Sequence, residues 1–563
     1  MKDKNKMVYD AREVTTFKDI LEGSAELYGE RTAFIFSDAG NITEVTFGQT
    51  FENVKAFAAY LRSVVPEGAK VAVTGKNSYC WAMTYLTVTC GVGIIVPIDK
   101  DLRADEIEEL LDTAEASAIV YSPEMKEKIL GLSDKYLCLN MENMEEYLEK
   151  GRELIASGDR SYEEHGINPH APGILLFTSG TTGVSKGVVL SQYNICSNIT
   201  SIAKIMKIYP EDRAISVAPL HHTFECTAGF LVIFYNGASI AYNSSLRKLQ
   251  SELKLFRPTV MASVPLILNT FRNTIIKKYS QMRGGKLVLS LQRALSDATG
   301  NKAGKKIFSI VNETFGGRMR LIVSGAASLE PETYKDYERF GIKVYIGYGL
   351  TETSPVIAVH TDFYSAPDDI GYPIPGTKVR LDDVNEEGVG ELVAKGPGVM
   401  LGYYKNPEAT ARVMENGWFH TGDLAKRTPQ GTYQITGRIK SMIVTPGGKK
   451  VFPEELELFL EKSPYVAECM VYESETEGVS KITASIYPNE EEIAGKLSKS
   501  GIVPGTPEYE KEERGLINEV IKSVNLKFPT YKHIGRLVIR KREFEKTTTK
   551  KIKRNSADNL SGE

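Results

Sequence analysis

The feature that most constrains the fold of this chain is a long alternation of two hydrophobic patterns. Between about residues 70 and 350, short β-branched runs such as KVAVTG, ASAIVYS, GILLFTS, TVMASVP, RLIVSGA and IKVYIGYG alternate with helical patterns such as LRKLQSELKLF and PETYKDYERF. Apolar runs bounded by turn residues indicate buried strands, and the amphipathic segments between them indicate crossover helices. The alternation predicts an α/β fold, with a parallel or mixed sheet covered by helices.

The pattern changes after Pro355, which predicts further units. Shorter strands with glycine-rich turns, as in TKVRLDD, GELVAKG and TYQITGR, predict a β-rich subdomain over about residues 356–437. Beyond it, strand and helix patterns outline a compact α+β unit, and its polar segment 489–514 is expected to be a surface excursion. We therefore predict a large N-terminal domain over residues 1–437 and a small C-terminal domain over residues 438–563.

Composition bounds the classes of function and the compartment. A formal net charge of −3 gives no imbalance that would make nucleic acid the main partner. The first residues lack the apolar core of a secretory signal, and the longest apolar stretch, residues 83–97, is too short to span a bilayer. The six cysteines are scattered without a C-x-x-C pair, which favours reduced thiols and offers no structural zinc site. We expect a cytoplasmic protein.

The strongest local motif is a loop rich in glycine and hydroxyl side chains after the run ILLF. Its residues are Thr178, Ser179, Gly180, Thr181, Thr182, Gly183, Val184, Ser185, Lys186 and Gly187. Glycines let backbone N–H groups turn toward an anion and the hydroxyls add donors, so the loop is suited to a polyphosphate. The spacing is not that of a Walker A loop, and an ordinary surface loop is the alternative interpretation.

The order of residues in this loop resembles the pyrophosphate-binding loop of the acyl-adenylate-forming superfamily. That superfamily contains acyl-CoA synthetases, luciferases and peptide-synthetase adenylation domains. Ser185 stands where proline is usual, whereas Lys186 keeps its place. The resemblance implies that the chain uses ATP and Mg²⁺ to join a carboxylic acid to AMP, and then passes the acyl group to a thiol.

Motifs further along the chain are similar to the superfamily's adenosine-binding motifs. The residues that the resemblance assigns to this site are Ser324, Gly325, Ala326, Gly347, Tyr348, Gly349, Thr351, Glu352 and Asp423. By the same resemblance, the Tyr348 ring stacks on adenine, Asp423 accepts hydrogen bonds from the ribose hydroxyls, and Glu352 holds Mg²⁺ together with Thr181. A carboxylate oxygen is a ligand that suits Mg²⁺. Taken singly, each motif could instead be an ordinary strand end or a capped turn.

Two more motifs resemble the superfamily's hinge and the loop that follows it. Arg438 would contact the nucleotide, and Lys440 would stand at the swivel position about which the C-terminal domain rotates between half-reactions. Gly447 and Gly448 follow in a loop suited to close backbone approach.

A basic stretch near the C-terminus has two interpretations. Taken alone, residues 536–554 indicate a nucleic-acid or anionic-membrane patch. The stretch also resembles the family's P-K-T-x-[ST]-G-K-I-x-R motif, with Glu545 and Lys550 replacing the usual proline and glycine. The resemblance makes Lys551 the catalytic lysine, placed to bridge the carboxylate and the α-phosphate. No other feature supports a nucleic-acid partner, whereas peripheral membrane association stays open.

The identity of the acid is predicted from one segment. Residues 218–225 resemble the fatty-acyl branch of the family, in which an aromatic or histidine side chain lies beside the reacting carboxylate; His222 is our candidate. Amino-acid-activating relatives have an aspartate at the next position, where this chain has Thr223. The prediction is a long-chain fatty-acyl-CoA synthetase that forms acyl-AMP and pyrophosphate, then acyl-CoA and AMP.

Several alternatives remain open. An acyl carrier protein could replace coenzyme A as the thiol acceptor, because both present a phosphopantetheine thiol, and an aryl acid could replace the fatty acid. A more distant alternative is a non-catalytic nucleotide- or lipid-binding regulator, motivated by Ser185, Gln192 and Lys550 at positions where relatives carry other residues.

Overall fold

The computed structural model of the chain describes residues 8–38, 41–178, 186–300, 308–445, 449–476, 479–546 and 552–561. The described part contains two large sheets, a smaller antiparallel sheet and a C-terminal α+β unit. No helix among the described residues is long and apolar enough to cross a membrane. The apolar stretch at 83–97 instead forms part of a buried helix and the strand that follows it.

The first sheet has nine strands and carries the residues of most interest. In spatial order they are β15 (Tyr372–Pro373), β14 (Val356–Val359), β13 (Lys343–Gly349), β12 (Leu321–Ser324), β11 (Val260–Ser263), β9 (Arg213–Ser216), β10 (Ser239–Tyr242), β1 (Thr32–Asp38) and β2 (Asn41–Thr46). The central strands from β13 to β1 run parallel, and antiparallel strands flank them on both sides. The carboxyl ends of β11, β12 and β13 therefore meet at one edge of the sheet.

The second sheet has seven strands. In spatial order they are β18 (Gly402–Tyr403), β8 (Lys186–Ser191), β7 (Pro172–Thr178), β4 (Ile94–Ile98), β3 (Lys70–Thr74), β5 (Ala118–Tyr121) and β6 (Leu137–Asn140). β7 and β8 form an antiparallel hairpin in which Thr178 pairs with Lys186. The predicted phosphate loop therefore connects the ends of this hairpin.

Helices cover both large sheets and also pack in the C-terminal unit. In chain order they are α1 (Phe17–Tyr28), α2 (Phe47–Val64), α3 (Tyr79–Gly91), α4 (Ala104–Ala114), α5 (Lys126–Ile129), α6 (Met144–Ala156), α7 (Ser161–Glu164), α8 (Gln192–Ile205), α9 (Val232–Tyr235), α10 (Leu249–Phe256), α11 (Pro265–Gln281), α12 (Gly285–Ala298), α13 (Ser309–Thr314), α14 (Pro331–Arg339), α15 (Pro407–Ala411), α16 (Pro453–Leu460), α17 (Glu490–Leu497), α18 (Pro507–Asn525) and α19 (Ala557–Ser561). α8 begins directly after β8 because Ser191 caps it in a reciprocal capping box with Asn194.

The buried residues form separate cores that define the layers. One core fills the space between the two large sheets and includes α3, α8 and α9. A second core lies between the opposite face of the first sheet and helices α10 to α14, and a third covers the outer face of the second sheet. The α/β class predicted from the alternating pattern is confirmed, and each of the six quoted runs contains an observed strand.

Smaller sheets follow in the chain. The antiparallel sheet contains β16 (Lys378–Asp382), β17 (Val389–Lys395), β19 (Met414–Glu415), β20 (Trp418–Arg427) and β21 (Tyr433–Arg438), and a two-stranded ribbon joins β22 (Ile443–Val444) to β23 (Lys450–Val451). A three-stranded sheet of β24 (Val466–Thr476), β25 (Val479–Pro488) and β26 (Arg536–Ile539) has its own apolar core with α16, α17 and α18.

The polar segment 489–514 lies largely exposed on this last unit, as expected of a surface excursion. It contains α17 and the first residues of α18. Asn489 and Thr506 cap these helices, and buried Ile493, Leu497 and Tyr509 anchor them to the core. Apolar residues spaced by three or four positions are sparse in this segment, so the sequence gives only a weak helical signal.

Candidate active site

A deep cavity of about 300 Å³ opens where the carboxyl ends of β12 and β13 meet. Its inner part is apolar and lies between the first sheet and helices α8 and α9; the residues there include Ile202, Met206, Ile208, Ala214, Val232, Ile233, Val260, Leu321 and Val323. Its mouth is polar and is lined by Thr178, His222, Thr223, Gly325, Ala326, Gly347, Tyr348, Gly349, Thr351, Glu352 and Arg438. Ligands commonly bind beyond the carboxyl ends of parallel strands in sheets of this type.

The apolar part of the cavity runs along the strands. Val323 and Gly325 line it near the carboxyl end of β12, whereas Leu321 lines it at the amino end of the same strand. At about 3.3 Å per residue, the walls from Leu321 to Gly325 extend over roughly 13 Å. An unbranched alkyl chain lying along the strands fits a space of this shape.

A polar group of three residues forms one side of the mouth. The Tyr348 hydroxyl donates to Oδ2 of buried Asp423 over 2.7 Å, and Arg438 Nε lies 2.9 Å from Asp423 Oδ1. Asp423 and Arg438 face each other because β20 and β21 pair in that register. Burial, followed by the neighbouring Asp423 charge, raises the pKa of Tyr348, so its hydroxyl remains a donor.

Glycines let the backbone pass closely at this mouth. A Cβ atom at Gly349 would lie 1.7 Å from the Pro355 carbonyl oxygen, and one at Gly325 would lie 2.8 Å from the Phe224 ring. Ala326 has a φ of +69°, which places the turn after β12 in the left-handed region. Close packing against neighbouring elements therefore requires glycine at 325 and 349.

Two buried hydroxyls at the mouth have no hydrogen-bond partner among the described residues. They belong to Ser324, at the end of β12, and to Thr223, which lines the cavity. Leaving a buried donor unpaired costs about 1–3 kcal/mol. Both hydroxyls fit a site that a polar ligand completes.

A second polar group brings together residues from distant parts of the chain. The Tyr403 hydroxyl donates to Glu352 Oε1 over 2.8 Å, and Lys186 Nζ lies 5.0 Å from the centre of the Tyr403 ring. Tyr403 reaches this place because β18 pairs with β8, which begins at Lys186. Burial and then the Glu352 charge raise the pKa of Tyr403. One carboxylate, which lines the cavity mouth, and one cation therefore contact the same phenol side chain.

His222 lies at the junction between the polar mouth and the apolar wall. Its ring lies 4.1 Å from the His221 ring, centre to centre, and His221 Nε2 lies 3.4 Å from Asp99 Oδ2. The Cys226 N–H donates to the His222 carbonyl. This hydrogen bond connects the histidine to the π-helical turn over Glu225–Leu231.

Hydrogen bonds from half-buried Asn77 and buried Ser216 hold the strand end that leads to His222. Asn77 donates from Nδ2 to Ser216 Oγ and to the Ala218 carbonyl, and its Oδ1 accepts from the Leu220 N–H over 3.0 Å. Ser216 in turn donates to Glu225 over 2.6 Å. Complete burial raises the pKa of Glu225 to about 8, so this carboxyl carries a proton near neutral pH.

The sequence did not single out Tyr403, Asn77 or Glu225. Glu225 ends the segment used to predict the acid, and its signal was a carboxylate inside an apolar run. Tyr403 lies in the stretch GYYKNPEAT, outside the motifs that mark ligand-binding residues. Asn77 follows β3 and offered no recognisable pattern.

Several predicted residues lie outside the described part of the chain. These are Ser179, Gly180, Thr181, Thr182, Gly183, Gly447, Gly448 and Lys551. The hairpin ends Thr178 and Lys186 are described, as are Lys546 and Ile552, which form a β-bridge on either side of the segment with Lys551. Lys440 follows β21 in a short 3-10 turn and does not line the cavity.

A polar mouth that continues into an apolar cavity is the arrangement expected of an adenylate-forming enzyme. The chain belongs to the AMP-binding enzyme family, whose family model matches residues 21–404. The family and the α/β fold predicted from the sequence are both confirmed.

The curated relatives are acid–thiol ligases. Long-chain-fatty-acid–CoA ligase 4 of Saccharomyces cerevisiae is 34% identical over 377 residues, which cover 63% of this chain and about half (53%) of the yeast protein. Long-chain-fatty-acid–[acyl-carrier-protein] ligase AEE15 of Arabidopsis thaliana is 27% identical, with 84% of this chain and 76% of that protein covered. The predicted class, an adenylate-forming acid–thiol ligase, is confirmed.

Solved structures share the fold over nearly the whole chain. The anthranilate CoA ligase AuaEII in complex with anthranoyl-AMP has a TM-score of 0.75 at 20% identity, with 98% of each chain covered. ATP-bound MatB from Rhodopseudomonas palustris has a TM-score of 0.74 at 21% identity, with 96% of this chain and 97% of that chain covered.

Proposed function

We propose that this protein activates long-chain fatty acids with ATP and transfers them to coenzyme A. The observation that carries this proposal is the single cavity in which the Tyr348, Asp423 and Arg438 group opens directly onto an apolar space along β12. An acid whose carboxylate reaches the mouth would have its alkyl chain buried in that space. Burial of each CH₂ group stabilises the complex by about 0.8 kcal/mol, which favours long chains.

The residues at the mouth suit the charges of the first half-reaction. The carboxylate attacks the α-phosphorus, a new C–O–P linkage forms, and the bond to pyrophosphate breaks. Lys186 and Arg438 are cations beside the phosphates, and Lys551 would approach from the C-terminal domain. Electrostatic groups arranged in advance are commonly worth about 3–4 kcal/mol each in such reactions.

Among the residues that the structure describes, Glu352 is a carboxylate at the cavity mouth that could bind Mg²⁺. Among the described residues there is no group of three or more His, Cys, Asp or Glu side chains that could hold a metal. Mg²⁺ usually needs only one or two carboxylates, because substrate phosphates and waters complete its octahedron. When bound, Mg²⁺ would neutralise phosphate oxygens, and Thr181 would be its second protein ligand.

The first experiment measures acid-dependent exchange of labelled pyrophosphate into ATP. Acids from acetate to oleate, and benzoate, are compared, with coenzyme A and acyl carrier protein tested as acceptors in a thioester assay. We expect exchange to rise with chain length and coenzyme A to be the better acceptor. Exchange with benzoate alone would support the aryl-acid alternative, and transfer only to the carrier protein would support the alternative acceptor.

A lysine substitution tests whether Lys551 acts in only one of the two half-reactions. Lys551→Ala should lose adenylation and still convert supplied acyl-AMP to thioester, because the lysine is needed only while the α-phosphate is attacked. Lys550→Ala is the matched control and should keep both activities. Equal loss of both steps in Lys551→Ala would remove its special role.

We also propose residues 437–438 as the domain boundary and Lys440 as the pivot of the rotation. In support, β21 ends at Arg438 and the two-stranded ribbon starts at Ile443, so only a short turn joins the two regions. Lys440→Pro should slow thioester formation more than adenylation. The cytoplasm remains our proposed location, which the six free cysteines favour.

A further inference from the structure

An exposed aliphatic stripe runs along one face of α12. Leu287, Leu291 and Leu295 recur every four residues and are 66%, 61% and 54% exposed, and Val288 lies beside them at 39%. Leu266, near the start of the adjacent α11, is 56% exposed. Residues four apart lie on the same face of a helix, so the three leucines form one continuous strip.

The opposite face of α12 accounts for the packing of this helix. Leu289 is buried in the second core, Ser296 donates to the Arg339 carbonyl, and Arg293 pairs with Asp336 over 2.6 Å. Asp336 also pairs with Arg272 of α11, which fixes the two helices side by side on α14. The outer leucines therefore do not hold the helix in place, and a water-facing surface would normally carry polar residues there.

The described segment that carries this stripe is basic. Residues 265–300 contain six Lys and Arg residues and one acidic residue, Asp297, in a chain whose formal net charge is −3. Arg272 and Arg293 pair with Asp336, and Lys277 pairs with Glu491. Arg283 and Lys286 are exposed at the start of α12, next to Leu287. Aliphatic side chains flanked by cations are typical of helices that lie in the interface of an anionic membrane.

We propose that α12, with the start of α11, is a docking surface for a membrane that contains anionic phospholipids. The leucines would enter the boundary between headgroups and acyl chains, while the basic residues contact phosphate groups. A second copy of this chain is a poorer occupant, because a two-fold contact would place two basic segments face to face. The proposal does not depend on the proposed function.

The surface also lies close in the chain to the cavity. α11 follows β11 after a single residue, and Val260, Met261 and Ala262 of β11 line the cavity. A membrane bound at α12 would hold the protein where long-chain acids and their thioesters partition.

The experiment is vesicle flotation of the full chain. Vesicles of equal parts phosphatidylglycerol and phosphatidylcholine are compared with pure phosphatidylcholine at low and high salt. We expect binding to the anionic vesicles that falls as salt shortens the Debye length from about 10 Å at 0.1 M to about 3 Å at 1 M. Leu287→Ser/Leu291→Ser/Leu295→Ser should reduce the affinity for these vesicles about tenfold or more.

A matched variant changes three exposed leucines on other elements, Leu27, Leu130 and Leu526, to serine. It should bind vesicles as the unchanged protein does, and both triple variants should keep exchange activity on octanoate in solution, which shows that they fold. Absence of binding to anionic vesicles, or equal binding by the two triple variants, would overturn the proposal. Concentration-dependent dimerisation that only the Leu287 variant abolishes, without vesicle binding, would assign the surface to a second copy.

Discussion

The mouth and the wall of the cavity differ in how the chain builds them. The mouth is made by short motifs in which a few consecutive residues supply most of the contacts, as in the Gly347–Thr351 segment. The wall is made by single apolar side chains from β9, β11, β12, α8 and α9, none of which belongs to a motif. Short motifs in the sequence therefore indicate the type of reaction, whereas selectivity for the acid depends on a surface that forms only when the chain folds.

The two regions also respond differently to substitution. Removing one partner of a charged hydrogen bond at the mouth abolishes the stabilisation from that bond and leaves the other partner unpaired. A substitution in the apolar wall changes the volume of the cavity by only a few methylene groups and therefore has a smaller effect on binding. The predictions below test this difference, from the largest expected effect to the smallest.

Removal of the Asp423 carboxylate should be the most damaging change at the mouth. Asp423→Ala removes the acceptor of the Tyr348 hydroxyl, the partner of Arg438 and the proposed ribose acceptor, so kcat/KM for ATP should fall about 100-fold or more. The pyrophosphate exchange assay measures it. Asp382→Ala, on β16 and paired with Arg380 at 2.7 Å, is the control and should leave the rate unchanged. Equal rates for both variants would show that the mouth does not hold the nucleotide.

Glu225 begins the π-helical turn that leads from His222 to α9 of the cavity wall. We expect its titration to change the free energy of unfolding. Its pKa is raised by burial from 4.5 to about 8, so the folded protein retains a proton that the unfolded chain releases above pH 4.5. The stabilising contribution is complete below pH 4.5 and is lost as the pH rises to about 8. Relative to Glu225→Gln, the unchanged protein should therefore lose about 2 kcal/mol or more of unfolding free energy across this interval.

Urea unfolding at several pH values measures this difference. Glu386→Gln, which alters an exposed carboxylate, should follow the pH dependence of the unchanged protein. If Glu225→Gln also follows it, Glu225 is ionised in the folded state.

A larger side chain in the cavity wall should narrow the cavity and change the selectivity between long and short acids. Ala214 lies at the amino end of β9 and lines the deep end of the cavity, so Ala214→Leu should lower the oleate-to-octanoate ratio of kcat/KM about tenfold. Ala241→Leu is the control, because Ala241 pairs with Ile215 on the neighbouring strand and packs in the second core. Thermal unfolding of both variants measures the cost of overpacking. A ratio that falls equally in both variants would place the acid elsewhere.

Loss of the Tyr403 hydroxyl should be the mildest change. Tyr403→Phe leaves Glu352 without its 2.8 Å donor while the ring still packs near Lys186, so the exchange rate should fall about three- to tenfold. Titration with Mg²⁺ should show whether the metal requirement rises. Tyr404→Phe changes the next residue, whose hydroxyl contacts Lys70 and Glu115 instead, and should leave exchange unaltered.

Much of the fold could be predicted because burial on both faces gives parallel strands nearly continuous apolar runs. GILLFTS and IKVYIGYG became β7 and β13, and the motifs at their carboxyl ends were expected to lie near a ligand. The pattern GLINEVIKSVNLKF predicts most of α18, whereas α17 and the first turns of α18 have sparse apolar spacing and are stabilised by packing on the C-terminal core.

By itself, the sequence determined the α/β class and the order of the nucleotide motifs, since each of these depends on residues close together in the chain. Only the tertiary structure decided that Tyr403 joins Glu352 to Lys186, that Asn77 and Glu225 hold the strand end before His222, and that the apolar cavity lies along β12. The physical reason is that a hydrogen bond or a cavity wall between remote segments depends on sheet register and helix packing. Neither of these can be read from the spacing of residues along one chain.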